Sequence, residues 1–379
     1  MGDLSGAVAD LGIFVPLVAA LVLVNGLSAT SILVCAGLLV IVSGLVFRIP
    51  FPVQPLKALT ALAVALELPA TTIHAAGLLL GLLLLVASLP PVMKAITAVF
   101  DLTVVRSLQV GVGLVLVLAA IRLVQSPPDP FAATAPSSAI GLALAIAAAG
   151  LIALAAERGR FGVILAFVVA GTAFVAWRAG DLGAGVGATL PVLEIPSWGV
   201  FVTAFTTLVI PQIPLTIGNA VVATSDVATT YFGERAARAT PRNVCLSAGI
   251  ANVLSSVAGG MPMCHGAGGM TAHYRLGARA MRMNLVLGGV FVLTGLVVAD
   301  AITDLFALLP VWLLAAFLGY AGVRHALLVV DRRGASLAIA LAFGILGAVT
   351  GNLALTAAGA ALCSHAVKRR HSVSWSMLW

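Results

Sequence analysis

Apolar runs long enough to cross a bilayer recur from one end of this 379-residue chain to the other. Inside the hydrocarbon every backbone N–H and C=O must find its partner within the protein, so each run is read as a helix. Charged residues make up only 9% of the sequence and hydrophobic ones 61%, against roughly 25% charged in soluble chains. That excludes a soluble enzyme and leaves no room for a large soluble domain. The net charge of +7 reads as membrane topology rather than nucleic-acid binding, because the basic residues lie between the apolar runs. Cys35, Cys245, Cys264 and Cys363 are far apart and form neither a disulfide framework nor a CxxC metal pattern. Neither a cofactor nor a metal is expected. No Lys or Arg precedes Arg48, so the start lacks the basic n-region of a signal peptide and reads as a retained helix.

Segmentation on apolar runs gives two sets of seven. The first lies at about 7–25, 28–47, 54–67, 72–90, 101–124, 138–156 and 161–177. The second lies at about 199–223, 241–258, 266–276, 282–299, 302–323, 335–350 and 352–367. The expected architecture is an all-α polytopic membrane protein of about fourteen transmembrane segments, with residues 1–177 and 199–379 as two halves and 178–198 as a connector. With the N-terminus inside, the cytoplasmic loops and tail hold Arg48, Lys94, Arg106, Arg158, Arg160, Arg235, Arg238, Arg242, Arg275, Arg279, Arg282, Arg324, Arg332, Arg333, Lys368, Arg369 and Arg370. Only Arg122 and Arg178 fall outside, and Lys57 lies within a segment. That asymmetry follows the positive-inside rule and places both termini in the cytoplasm of a multi-pass cell-membrane protein.

One stretch breaks the helical pattern. Pro50-Phe51-Pro52-Val53-Gln54-Pro55-Leu56-Lys57 cannot begin an ordinary spanning helix, because proline fixes φ, removes a donor and pushes the preceding residue towards extended geometry. The stretch is expected to be extended to Gln54, with a helix starting at Pro55, where proline is well tolerated. About five extended residues at ~3.3 Å cover ~17 Å, and Pro55 to Glu67 as helix at ~1.5 Å per residue adds about 20 Å. The sum spans a hydrocarbon core of ~30 Å with Pro55 near its middle. Gly259-Gly260-Met261-Pro262-Met263-Cys264-His265-Gly266-Ala267-Gly268-Gly269 has the same character in the second half and runs the other way. An odd number of spans per half makes the halves inverted, and paired interrupted segments point to a transporter's binding site.

Two half-helix N-termini would then face each other at depth. Each carries unpaired N–H groups and about half a positive charge, which suits a small anion. Gly266 and Gly268 allow close backbone approach. Lys57 would supply a charge, the alternative being a lysine that snorkels to the interface. Gln54 donates to the anion or caps the broken strand. His265 lines the site, carries a proton, or satisfies backbone in a crowded loop. Cys264 reads as a small packing residue at the turn rather than a nucleophile. Gln212 and Asn219, near Pro211 and Pro214, contact the ligand or join helices. The candidate binding set is therefore Gln54, Pro55, Lys57, Gln212, Asn219, Cys264, His265, Gly266 and Gly268. Asp10, Glu67 and His265 are the candidates for coupling to protons, the alternative for Asp10 being a cap on the first helix at the cytoplasmic surface.

These residues resemble a known family. Asp10-Leu11-Gly12-Ile13-Phe14-Val15-Pro16-Leu17, the Pro50–Lys57 stretch, Pro211-Gln212-Ile213-Pro214-Leu215-Thr216-Ile217-Gly218-Asn219-Ala220-Val221, the Gly259–Gly269 run and Gly277-Ala278-Arg279 are similar, in order, to the molybdate transporter branch of the sulfate-permease superfamily. The resemblance implies a seven-plus-seven inverted repeat, a core moving against a gate, oxyanion uptake with H⁺ or Na⁺ as coupling ion, and a homodimer. Wider members of the superfamily carry a soluble STAS domain, which the molybdate branch lacks, and no such stretch follows the last run here. Ala9 and Ile13 stand where the family pattern has Gly and Thr, which bears on the substrate's donor set. Molybdate is the expected substrate and sulfate, of like charge and shape, the alternative. A nucleobase permease would leave Lys57 without a task. An enzyme using Cys264 and His265 lacks a third orienting group, and a passive anion channel fits a closed site less well.

Overall fold

The computed structural model describes residues 11–99, 101–127, 129–132, 135–158, 195–275, 277–297 and 309–376, with positions 3 and 299. Asp10 and the expected run at 161–177 lie outside the described residues. The protein is an all-α polytopic membrane protein whose described residues hold one two-stranded contact. In the first half α1 (Leu11–Leu23), α2 (Ala29–Phe47), β1 (Gln54–Pro55), α3 (Lys57–Ala65), α4 (Ala70–Ala87), α5 (Pro90–Val99), α6 (Leu102–Gln125) and α7 (Ser138–Glu157) follow in order. In the second come α8 (Trp198–Ala236), α9 (Pro241–Val257), β2 (Met263–Cys264), α10 (Ala267–Arg275), α11 (Arg282–Val297), α12 (Val311–Ala326), α13 (Gly334–Thr350) and α14 (Leu353–Ser376).

Six helices among the described residues are long and apolar enough to cross a membrane, and shorter apolar helices pack with them. The sequence expectation of about fourteen spans counts short interrupted segments that do not reach that length. Helix α2 shows how the bundle meets lipid. Ser28 caps its start by accepting from the Ser31 N–H, and Arg48 ends it in left-handed geometry. Leu38, Val42 and Leu45, about one turn apart, stand roughly half exposed, an outward apolar stripe that only hydrocarbon can cover. A neighbouring face carries Gly37 and Gly44, where a side chain would run into Gly288 and Asn284 of α11.

Such glycine contacts fall into two sets. One joins α2 to α11 and α4 to α9; the other joins α6 to α12 and α13. Without a hydrophobic force between helices in lipid, close backbone approach through small residues is what holds each set together. Helix α5, beginning Pro90-Pro91 and exposing Lys94, was read from sequence as part of a loop. It is too short to span and packs on α4.

The helix expected from Pro55 begins two residues later. Pro55 is still extended, because the strand pairing runs on to the Leu56 N–H, which donates to the Pro262 carbonyl at 3.1 Å. The helix also stops earlier than expected, at Ala65, since Glu67 takes a positive φ of 49° ahead of Pro69. Asn25 meets this end, donating to the carbonyls of Ala63 and Leu68.

Two buried asparagines stand in for missing strand neighbours. Asn284 of α11 accepts from the Phe51 N–H at 3.0 Å and donates to the Phe51 carbonyl at 2.7 Å. Asn252 of α9 treats Met263 the same way, at 2.9 and 2.7 Å. Removing either amide strands a backbone donor and acceptor in a buried place, at a cost of roughly 1–3 kcal/mol per group. Asn284→Ala should therefore melt clearly below the wild type in a detergent thermal-unfolding measurement, while Val42→Ala on the lipid face should not.

Candidate functional site

The two extended breaks meet. β1 and β2 pair antiparallel, Gln54 opposite Cys264 and Pro55 opposite Met263. Each strand leads within three residues into a short helix, α3 and α10, whose first turns face one cavity of about 510 Å³. In a helix the first N–H groups have no intrahelical acceptor. Those of Lys57 and Ala58 in α3, and of Ala267, Gly268 and Gly269 in α10, have no partner among the described residues. Both positive helix ends thus point at the same space.

Helix α8 fixes this arrangement. Pro211 and Pro214 lack the N–H groups an α-helix needs at those places, and π-helical turns at Ala204–Val209 and Thr216–Val222 flank them. Between the turns, the Gln212 side chain donates to Thr216 Oγ1 at 2.9 Å, which leaves its Oε1 to accept from the Leu59 N–H of α3 at 3.0 Å. Further along, Thr224 Oγ1 donates to the His265 carbonyl at 2.8 Å. A single interrupted helix therefore braces both half-helix starts.

Of the residues singled out from sequence, Gln54, Lys57, Gln212, Cys264, Gly266 and Gly268 line the cavity. Pro55 is buried in the strand pair behind it. His265 is fully buried and is not among the lining residues. Its Nδ1 donates to the Pro52 carbonyl at 2.9 Å, its Nε2 bonds Ser247 Oγ at 2.9 Å, and its ring packs edge-on to Phe51 and Phe47. Pro52 removes a backbone donor from the break, and the histidine fastens the carbonyl left there. Glu67 is exposed at the far end of α3, away from the cavity. Asn219 lies in the second π-helical turn; Asp10 is outside the described residues.

The opposite wall was not foreseen. Leu116 of α6 and Phe317, Tyr320, Arg324 and His325 of α12 complete the lining. Sequence reading placed Arg324 in a cytoplasmic loop, yet Tyr320, Arg324 and Leu328 recur every four residues, the spacing of one helix face. The lining residues thus include two basic side chains, Lys57 and Arg324, and no carboxylate. Neither cation forms an ion pair among the described residues. Anion chemistry is what such a space can support.

Comparison with known proteins agrees with this geometry. A family model described as molybdate transporter of the MFS superfamily matches residues 2–116 and 204–324, which contain both breaks and the α12 wall as far as Arg324. Molybdate transporter 2 of Arabidopsis thaliana is 31% identical over 373 residues, covering 86% of this chain and 78% of that protein. Molybdate transporter 1 of Chlamydomonas reinhardtii is 28% identical over 432 residues, covering 86% and 83%. Among solved structures, the transmembrane domain of the cyanobacterial bicarbonate transporter BicA superposes with a TM-score of 0.67 at 21% identity, over 94% of this chain and 96% of that one. Murine Slc26a9 in an inward-facing state gives 0.66 at 14%, over 98% and 68%. At these identities the structures establish the fold, which this chain shares with both of them. A pair of glycine variants tests the packing of the site. A Cβ on Gly266 would stand 2.4 Å from Gln54 Oε1, whereas one on Gly268 meets nothing within 4 Å. Gly266→Ala must displace the Gln54 amide and should lower the melting temperature in detergent; Gly268→Ala should leave it unchanged.

Proposed function

The chain belongs to the molybdate transporter family, and on that premise we propose that it is a secondary transporter that takes up molybdate by alternating access. The observation that carries the reading is the cavity lined by Lys57, Arg324 and the first turns of α3 and α10, with no carboxylate in its lining. A tetrahedral dianion presents oxygens all round, so it accepts from two opposed sets of backbone N–H groups while the ammonium balances its charge. Cys264 and Gly266 close the strand side of the site, and Gln54 stands over Gly266.

The same fold supports movement around that anion. The cavity has Leu116, Phe317 and Arg324 of the glycine-joined α6–α12–α13 set on one side and Gln54, Lys57, Gln212 and Gly268 of β1, α3, α8 and α10 on the other. Rocking of one set on the other would open the cavity first to one side of the membrane and then to the other. We read residues 1–177 and 199–379 as inverted repeats joined by 178–198. In support, α2 packs on α11 while their counterparts, α9 and α4, pack on each other. The proposed location is the cell membrane with both termini in the cytoplasm, from the distribution of basic residues.

Purified protein in proteoliposomes should accumulate labelled molybdate saturably; uptake of labelled sulfate that molybdate fails to inhibit would overturn the choice of substrate. Removing a charge-assisted contact is worth roughly 1.5–3 kcal/mol, so Lys57→Ala should weaken molybdate binding about 10- to 100-fold. A lysine that merely snorkels to the interface would leave the affinity unchanged.

A further inference from the structure

The α12 wall holds one group to which the transport reading gives no task. His325 lines the cavity, and its Nδ1 lies 3.0 Å from the carbonyl oxygen of Ala321, one turn earlier. A carbonyl oxygen only accepts, so Nδ1 carries the hydrogen and Nε2 of the neutral ring carries a lone pair. Nε2 has no partner among the described residues. What the imidazole offers an anion is therefore a base, not a donor.

An oxyanion beside that nitrogen sets lone pair against lone pair. A proton placed between them turns the repulsion into a charge-assisted hydrogen bond, N⁺–H···O⁻. The charges around the ring are few. Lys57 of α3 lines the same cavity. The histidine's own helix supplies Arg324 and Tyr320, and Glu157 at the end of α7 acts on Tyr320. On α6, Arg106 is engaged with Asp331, which Arg332 also holds, and Arg122 is in the last turn at the other end. The described part of α1 carries no ionisable side chain. With the cavity empty, a proton on His325 would be a third positive charge beside Lys57 and Arg324; with a dianion present, it has two negative charges to meet.

We propose that His325 is the proton site of the carrier, so that a doubly charged oxyanion binds together with one proton, taken from solution and held on Nε2 against an anion oxygen. The inference rests on the transport reading above and adds the coupling ion to it. Linkage makes the effect reciprocal: anion binding favours the proton as much as the proton favours the anion. It also serves import, because each proton carried along removes one unit of the charge that a dianion moves against a negative-inside potential.

Calorimetric titration of the purified full chain with molybdate, in two buffers of different ionisation heat near pH 7, counts the protons. The wild type should take up a fraction of a proton, up to one, per anion. Its affinity should fall by up to about tenfold per pH unit as the imidazole loses its proton. His325→Gln keeps a side chain that can donate to the anion but not titrate, and should bind with no proton uptake and a flat pH profile. Glu67→Gln, altered away from the cavity, should behave as the wild type. Molybdate binding without proton uptake by the wild type overturns the proposal without recourse to any variant. So does wild-type proton uptake in His325→Gln, or its loss in Glu67→Gln. Failure of the wild type to bind molybdate overturns the transport reading as well, and so separates the two.

Discussion

Two short extended segments cross inside a bundle that lipid surrounds, and their mutual hydrogen bonding is what the rest of the structure depends on. Lipid cannot solvate a bare N–H or C=O, and each one left alone costs several kcal/mol. The pairing of Gln54–Pro55 with Met263–Cys264 satisfies part of that demand. Asn284 and Asn252 satisfy another part by acting as side-chain substitutes for strand neighbours. His265 takes the Pro52 carbonyl and Gln212 the Leu59 N–H. The polar residues of the bundle interior are thus largely committed to backbone. The N–H groups of the two first turns that remain are the ones an anion can use.

The helices divide by the kind of contact they make. Within each set, glycines bring backbones together so closely that a Cβ would clash, as between Gly37 and Gly288 or Gly113 and Gly322. Across the cavity the neighbours are side chains such as Leu17, Phe317 and Leu318. Backbone-to-backbone contacts hold one geometry, whereas side-chain contacts can be exchanged for others. A rocking carrier needs that contrast, with stiffness inside each half of the motion and replaceable contacts between them.

Much of this was legible in the sequence. Proline at positions 50, 52 and 55 announced non-helical backbone, and the Gly259–Gly269 run announced its partner, because each residue type acts locally. Boundaries were less legible. Pro55 suits a first helical turn, and only the distant strand at Met263 and Pro262 keeps it extended. The role of His265 turns on a carbonyl more than two hundred residues away, at Pro52, and no local pattern reveals that. Arg324 was absorbed into a rule about basic residues at the inner ends of spans, and His325 drew no reading at all. The four-residue spacing of Arg324 from Tyr320 and to Leu328 marked a cavity face, but a basic residue at a helix end carries both meanings.

Gln212 reaches from α8 to hold the first turn of α3, and Thr224 from the same helix holds the turn before α10. The two positive helix ends are therefore kept at a set separation by covalent chain and packed side chains before any ligand arrives. A site assembled by its ligand spends the interaction energy on ordering the protein; a site held open in advance does not. On the proposed transport reading, the free energy of capturing an anion would remain largely available as mechanical bias, shifting the balance between outward- and inward-open arrangements.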